Sequence, residues 1–259
     1  MGLKTKIRKL LGKSTTRPPV ENQPSGQSLQ GQFPDVKPQW LQTYLNVKPM
    51  TMTSPERIFA VCQAVEHVVA NSIEGDFVEC GVWRGGSSMA MARTLNDLGC
   101  NDRKLWLYDT FQGMTDPTAN DVDCFGNPAD QLLNQDQFDR LASESIWCQA
   151  SLNDVKQNLA KVSYPSENFR LVVGKVEDTI PQQVPESIAV LRLDTDWFES
   201  TWHELIHLYP RLKPGGVLII DDYGHWQGCR EAVDQYMAKF APQLFLHRID
   251  YTGRIAIKP

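Results

Sequence analysis

From residue 76 onward the chain alternates short apolar runs with segments whose apolar residues recur at helical spacing. The runs at 76–80, 104–109, 169–173, 188–194 and 216–221 are nearly continuous in apolar residues. That pattern predicts strands buried on both faces of a parallel sheet. The segments 86–98, 151–161, 200–211 and 227–240 predict the helices between them. Strand alternating with helix implies a doubly wound α/β sheet with right-handed crossovers. Residues 243–250 and 254–258 alternate apolar with polar around Tyr251-Thr-Gly253, which predicts an antiparallel hairpin. Two helices precede the sheet, one at about 36–47 with Trp40, Leu41 and Tyr44, the other opening at Ser54-Pro55-Glu56. There an N-cap is followed by proline at the first helical position and an acid in the first turn. Ile58, Val61, Cys62, Val65, Val68 and Val69 supply its apolar face.

Two stretches break the rhythm. Residues 112–150 are far longer than an ordinary strand-to-helix connection, which predicts a substrate-covering lid within the main domain, 35–259. The acids there, Asp116, Asp121, Asp123 and Asp130, lack calcium-loop spacing. Residues 1–34 read as a basic, disordered extension. Leu3, Ile7, Leu10 and Leu11 have helical spacing among basic residues, compatible with a solvated tail or with weak contact of residues 1–17 with an anionic membrane surface. The stretch 17–34 is rich in Pro, Gln, Ser and Gly and reads as linker.

Composition narrows the class. The 259 residues suffice for one sizeable domain with a full core. No apolar run approaches the ~20 residues that cross a bilayer, and no secretory signal pattern opens the chain. The six cysteines include no CxxC pair, so they read as reduced thiols of a cytoplasmic protein. The formal net charge is −5, although residues 1–17 hold six basic residues and no acid. The body is therefore acidic, which argues against nucleic acid as a partner.

The candidate chemistry lies at strand ends. Leu191-Arg-Leu-Asp-Thr-Asp196 and Val217-Leu-Ile-Ile-Asp-Asp222 each run from apolar residues into carboxylates. Ligands of open α/β sheets bind at that edge. Asp194, Asp196, Asp221 and Asp222 could converge there around a hard divalent cation. The plainer alternative is that Asp221 and Asp222 end a strand and cap the next helix. The loop Glu79-Cys-Gly-Val-Trp-Arg-Gly-Gly86 is glycine-rich but does not follow GxGxxG, and Glu79 suits a cationic ligand better than a pyrophosphate. Asp109, at the end of the second strand, can accept both hydroxyls of a ribose or cap a turn. These features together fit a methyltransferase using S-adenosylmethionine.

The motifs carry a resemblance. Gly75-Asp-Phe-Val-Glu-Cys-Gly-Val-Trp-Arg-Gly-Gly86, Asp109-Thr-Phe-Gln-Gly113, Glu177-Asp-Thr-Ile-Pro181 and Leu191-Arg-Leu-Asp-Thr-Asp196 occur in order. Lys213-Pro-Gly-Gly216, Ile220-Asp-Asp-Tyr-Gly224 and Cys229-Arg-Glu-Ala-Val-Asp234 follow. The sequence over roughly 45–259 resembles the macrocin-type sugar O-methyltransferases. The resemblance implies a Rossmann-like class I methyltransferase fold: a seven-stranded, mostly parallel sheet with a C-terminal antiparallel hairpin and helices on both faces. It implies S-adenosyl-L-methionine and Mg²⁺ as cofactors. Asp194, Asp221 and Asp222 fall at the metal, and Asp196 at a general base. Glu79, Cys80, Gly81, Val82 and Trp83 fall around the methionine part of the cofactor, and Asp109 with Thr110 at the ribose. Met52 and Thr53 match a segment that closes over it, and Ser151 and Val176 fall near the adenine. The family commonly has Gly where this chain has Thr195.

The expected reaction is methyl transfer to a sugar hydroxyl. A divalent ion would stabilise the alkoxide, and a carboxylate would take the proton. Positioning alone can lower such a barrier by roughly 7–11 kcal/mol. His203 and His225 are alternative bases. Trp83, Trp197 and Trp226 read equally as sugar platforms or as packing. The expected partner is a small, sugar-containing acceptor, and a homo-oligomer is compatible with the sequence. Other readings are a catechol or phenol methyltransferase, a nicotinamide-dependent oxidoreductase, and a non-catalytic cofactor-binding protein.

Overall fold

The computed structural model describes residues 26–241 and 243–259, with side chains described from Leu29. The basic segment read as an amphipathic helix lies outside the described residues. Within the stretch read as linker the chain forms a short helix, α1 (Gly26–Gln32). Gln, Ser and Leu tolerate helix well, and composition alone hides that.

Residues 36–259 form one compact unit. It opens with α2 (Pro38–Val47) and α3 (Pro55–Ala70). Ser54 caps α3 as its sequence predicts, its hydroxyl accepting from the Arg57 amide at 3.2 Å. Strand β1 (Asp76–Cys80) leads into α4 (Gly86–Asp97), and β2 (Leu105–Asp109) into the long insertion. The insertion carries α5 (Ala129–Gln135) and is followed by α6 (Leu152–Leu159) and β3 (Phe169–Val173). Then come the single turn α7 (Val176–Thr179), β4 (Ile188–Leu193), α8 (Phe198–Leu208), β5 (Leu212–Ile220) and α9 (Gln227–Phe240). The chain closes with β6 (His247–Arg248) and β7 (Arg254–Ile257).

The described strands form a seven-stranded sheet in the order β3-β2-β1-β4-β5-β7-β6. The pairs among β1 to β5 are parallel, and β7 runs antiparallel to both β5 and β6. The expected class of fold is therefore present. Helices α2, α3 and α4 pack together on one side, and α7, α8 and α9 on the other. Every residue of β4 is buried, as a central parallel strand requires. Val78, Cys80, Leu191, Leu193, Leu218 and Ile220 turn one way into a core with Leu205 and Val233. Phe77, Glu79 and Arg192 turn the other way, because strand side chains alternate.

Several boundaries differ from the sequence pattern. β5 starts at Leu212 rather than 216, so Pro214 and both glycines lie within the strand. The hairpin pairs only His247 and Arg248, and Phe245 ahead of it is exposed. α5 was not legible because the insertion carries no sustained apolar period. No helix among the described residues is long and apolar enough to cross a membrane. All six cysteines are free thiols.

Candidate active site

The carboxyl edge is formed where β1, β2, β4 and β5 end. Two close approaches shape it. Gly81 has φ 81°, and a Cβ there would lie 1.9 Å from the Asp194 carbonyl oxygen. Gly86 opens α4 against the turn before α3, where a Cβ would come within 2.5 Å of the Met50 carbonyl oxygen. Backbone can approach backbone only because both lack side chains.

Asp109 sits at the centre of the cofactor loop. Its Oδ2 accepts from the amides of Val82 at 2.7 Å and Trp83 at 3.0 Å, and its Oδ1 from the amide of Phe111 at 2.7 Å. Trp83 and Phe111 are held at φ 47° and 53°. The carboxylate thus clamps two loops whose backbone would otherwise be strained. Burial raises its pKa, partly offset by those amides. A ribose would share an acceptor already in use.

Glu79 does not face outward as a bare carboxylate. It is buried, opposite Arg192 in the β1–β4 register, and accepts from Arg192 Nη1 at 2.6 Å and from the Ser88 hydroxyl. Its charge is thereby directed into the sheet face rather than toward a sulfonium. Cys80 is fully buried in the opposite core, where burial pushes its thiol well up. Only its backbone reaches the edge, accepting from the Asp194 amide at 2.9 Å.

The other expected cofactor residues have local partners. The Thr110 hydroxyl donates to Gly113 O at 2.8 Å. Ser151 caps α6, accepting from the Asp154 amide at 3.1 Å, and Val176 is buried in the first turn of α7. Val82 is buried, and Met52 is 39% exposed. Thr53 accepts from Arg192 Nη2 at 3.2 Å.

Four acids do converge, but two guanidiniums stand among them. Arg192 Nη2 forms ion pairs with Asp194 Oδ2 and with Asp221 Oδ2, each at 2.8 Å. Arg57 donates to Asp221 Oδ2 through Nη1, and its Nε lies 3.1 Å from Asp250 Oδ2 in an ion pair without a well-aligned hydrogen bond. Asp250 also accepts from Ser54 Oγ at 2.8 Å, tying the hairpin turn to the start of α3. Among the described residues, no group of three His, Cys, Asp or Glu side chains is arranged to hold a metal ion. The expected three-carboxylate magnesium site is not formed as the side chains stand, because Arg57 and Arg192 take the carboxylate oxygens that an ion would need. The donor set nevertheless suits a hard cation. Asp221 Oδ1 is buried without a partner beside two further acids. Burial, then the charges of Asp221 and Asp222, holds the Asp194 carboxyl well above the usual range against Arg192, and burial, then Asp196 and Asp221, does the same for Asp222.

Asp196 occupies a turn at φ 68°, its amide donating to Asp222 Oδ2 at 3.3 Å. Burial and then the charge of Asp194 push its carboxyl up to about 7, the range suited to proton transfer near neutral pH. His203 Nε2 is bonded to Ile180 O at 2.9 Å. His225 lies 3.8 Å from Cys124 Sγ and stacks edgewise on Trp226.

The insertion is firmly seated. Asp121 accepts from the Phe198 amide at 2.8 Å and so caps α8, while its other oxygen accepts from the Thr118 amide and hydroxyl. Trp197 Nε1 donates to Thr115 O at 3.1 Å, and Trp197 packs edgewise on Trp226 at 4.9 Å. Both rings are buried, so they pack rather than present open platforms. A cavity of about 280 Å³ lies between Thr115 and Thr118 of the insertion, Lys175 and Asp178 near α7, and Trp197 with Glu199.

A Rossmann-like sheet ending in β5-β7-β6, with acids at the ends of β4 and β5, defines a class I methyltransferase. Residues 35–256 match the macrocin O-methyltransferase (TylF) family. Demethyldecarbamoylnovobiocin O-methyltransferase of Streptomyces niveus is 36% identical over 203 residues, 78% of this chain and 73% of that protein. Mycinamicin III 3''-O-methyltransferase of Micromonospora griseorubida is 36% identical over 203 residues, 78% of this chain and 76% of that protein. The solved O-methyltransferase NovP superposes with a TM-score of 0.69 at 34% identity, covering 81% of this chain and 82% of that one. The chain belongs to the macrocin O-methyltransferase family and is an S-adenosylmethionine-dependent O-methyltransferase.

Sequence reasoning missed Arg57, Arg192, Asp250 and Glu204. For Arg192 a signal existed, since a lone arginine inside a buried apolar strand must have acid partners.

Proposed function

We propose that this chain methylates a hydroxyl on the sugar of a glycosylated small molecule. The observation that carries the reading is the acid cluster at the ends of β4 and β5, with Asp196 held in a left-handed turn beside it. Relatives that act on demethyldecarbamoylnovobiocin and mycinamicin III support the substrate class.

In this reading the Glu79–Trp83 loop and the Asp109 carboxylate that clamps it hold the cofactor, and Met52 with Thr53 covers it. Asp196 would accept the hydroxyl proton as the acceptor oxygen bonds to the methyl carbon in line and the methyl–sulfur bond breaks, leaving S-adenosylhomocysteine. Asp194, Asp221 and Asp222 would hold Mg²⁺, for which the orphaned Asp221 Oδ1 is the supporting atom. The ion, when bound, supplies Lewis-acid stabilisation of the acceptor oxygen. Residues 112–150 cover the acceptor. Residues 1–34 are an accessory extension that touches anionic membrane at most weakly, the protein works in the cytoplasm, and two or more copies can assemble.

The test is calorimetry with S-adenosylhomocysteine, then turnover with a panel of glycosides bearing free vicinal hydroxyls and with catechol, each with Mg²⁺ and with EDTA. Methylated glycoside that depends on Mg²⁺ is the expected product. Methylation of catechol alone would replace the sugar reading, and full turnover in EDTA would remove the metal.

A further inference from the structure

Glu204 lies on α8 and is completely buried. Among the described residues it forms no ion pair. Burial, then the charges of Glu177 and Asp222, push its carboxyl well above the usual range. One oxygen, Oε1, accepts from Thr195 Oγ1 at 2.9 Å. The other, Oε2, is buried without a well-formed hydrogen bond, although the Cys80 thiol interacts with this carboxyl. A polar atom so poorly satisfied in such a place is costly, and an apolar side chain would fill the space at less expense. The cofactor and acceptor readings leave this acid unused.

What Glu204 holds is the residue between Asp194 and Asp196. The Thr195 carbonyl accepts from the Trp197 amide at 2.8 Å and from Ser200 Oγ at 3.3 Å. Its hydroxyl is fixed by Glu204. The next residue, Asp196, is then held in the left-handed region, which a non-glycine residue enters only when its surroundings impose it. A threonine anchored at both its backbone and its side chain restricts a turn that glycine would leave free.

We propose that Glu204 is a positioning residue for methyl transfer, holding through Thr195 the turn that presents Asp196 to the acceptor. The proposal rests on the reading of Asp196 as the base. Glu204 itself touches neither cofactor nor acceptor; it acts through its hydrogen bond from the Thr195 hydroxyl.

Four variants test it: Glu204→Leu, Glu204→Gln, Thr195→Val, and the double Thr195→Val/Glu204→Leu. Hydrogen exchange of the Trp197 amide reports the turn and needs no acceptor. Turnover is measured with the glycoside of the panel above that is methylated, and cofactor binding with S-adenosylhomocysteine. Glu204→Leu should speed Trp197 exchange and lower kcat about tenfold, because small misplacements of reacting groups cost rates of this order. KM and S-adenosylhomocysteine affinity should stay within about twofold, since only the turn has moved. A residue that merely supported the fold would instead lower the melting temperature and disturb all three. Glu204→Gln keeps an acceptor for Thr195 and should retain most of kcat. Thr195→Val should match Glu204→Leu, and the double variant should be no worse than either, as for two residues joined in one interaction. Unchanged exchange and kcat in both Glu204→Leu and Thr195→Val would overturn the proposal, as would single effects that multiply in the double. An Asp196→Asn arm separates the two readings. If Asp196→Asn is slow while Glu204→Leu is unchanged, the positioning role alone fails. If Asp196→Asn turns over fully, the base assignment fails and takes this proposal with it.

Discussion

Removing the Asp109 carboxylate should damage the fold and the cofactor site together. Its two oxygens accept from three backbone amides, those of Val82, Trp83 and Phe111. Hydrogen bonds to a charged group contribute about 1.5–3 kcal/mol each, but the three share one buried carboxylate whose desolvation offsets part of that. A net loss on the order of 2–4 kcal/mol follows for Asp109→Ala. For a domain of this size that lowers the melting temperature by about 5–15 °C. Asparagine should rescue little. Its single oxygen can serve Val82 and Trp83 or Phe111, and its NH₂ then faces amide donors on the other side. If a ribose also bonds to this carboxylate, S-adenosylhomocysteine affinity should fall by about 100-fold or more, which corresponds to roughly 2.7 kcal/mol. Urea denaturation and calorimetry read the two effects separately. A stable Asp109→Ala protein with lost affinity would refute the clamp. A destabilised protein that binds S-adenosylhomocysteine normally would refute the ribose contact.

Three further outcomes follow from the same geometry. Arg192→Leu strands Glu79 and Asp221 in the interior, and should cost about 3–5 kcal/mol in urea denaturation; a loss under 1 kcal/mol would mean that Arg57 alone neutralises the cluster. Glu204 titrates in the folded state above its unfolded value of about 4.3, so its contribution is fully present below that value and is lost as pH rises. The stability of Glu204→Gln relative to the native chain should therefore grow as pH rises above that value, by at most about 1.4 kcal/mol per pH unit, and a difference that does not change with pH would contradict the raised carboxyl. Asp121→Ala removes the cap that the insertion gives to α8, and should cost about 1–2 kcal/mol and raise acceptor KM while sparing cofactor affinity; unchanged KM would detach the insertion from the acceptor.

The sheet was legible because apolar runs ending in carboxylates have one simple explanation, a buried strand delivering acids to an edge. β1, β3 and α9 fall where the pattern puts them. Ser54 was legible as a cap because capping is local. What was not legible depends on register and on distant partners. Glu79 meets Arg192 only because β1 and β4 pair as they do, and Arg57 meets Asp221 from 164 positions away. The carboxylates were visible in the chain, but the guanidiniums that occupy them were not assigned. The sequence alone therefore points Glu79 at a cationic ligand, whereas in the fold it lies in a buried ion pair with Arg192. The insertion gave no periodic signal, since Asp121 and Asp123 organise it by accepting backbone amides rather than by burying an apolar face.

Isotope tracing of the transferred methyl group tests the central claim most directly. The purified chain is incubated with ¹³C-methyl S-adenosylmethionine, Mg²⁺ and the glycoside panel, and the product is located by NMR. The account predicts a new ¹³C methoxy signal correlated to a sugar ring proton, nearly absent with Asp196→Asn. A label found on a phenolic oxygen, or cofactor binding with no glycoside labelled at all, would contradict it.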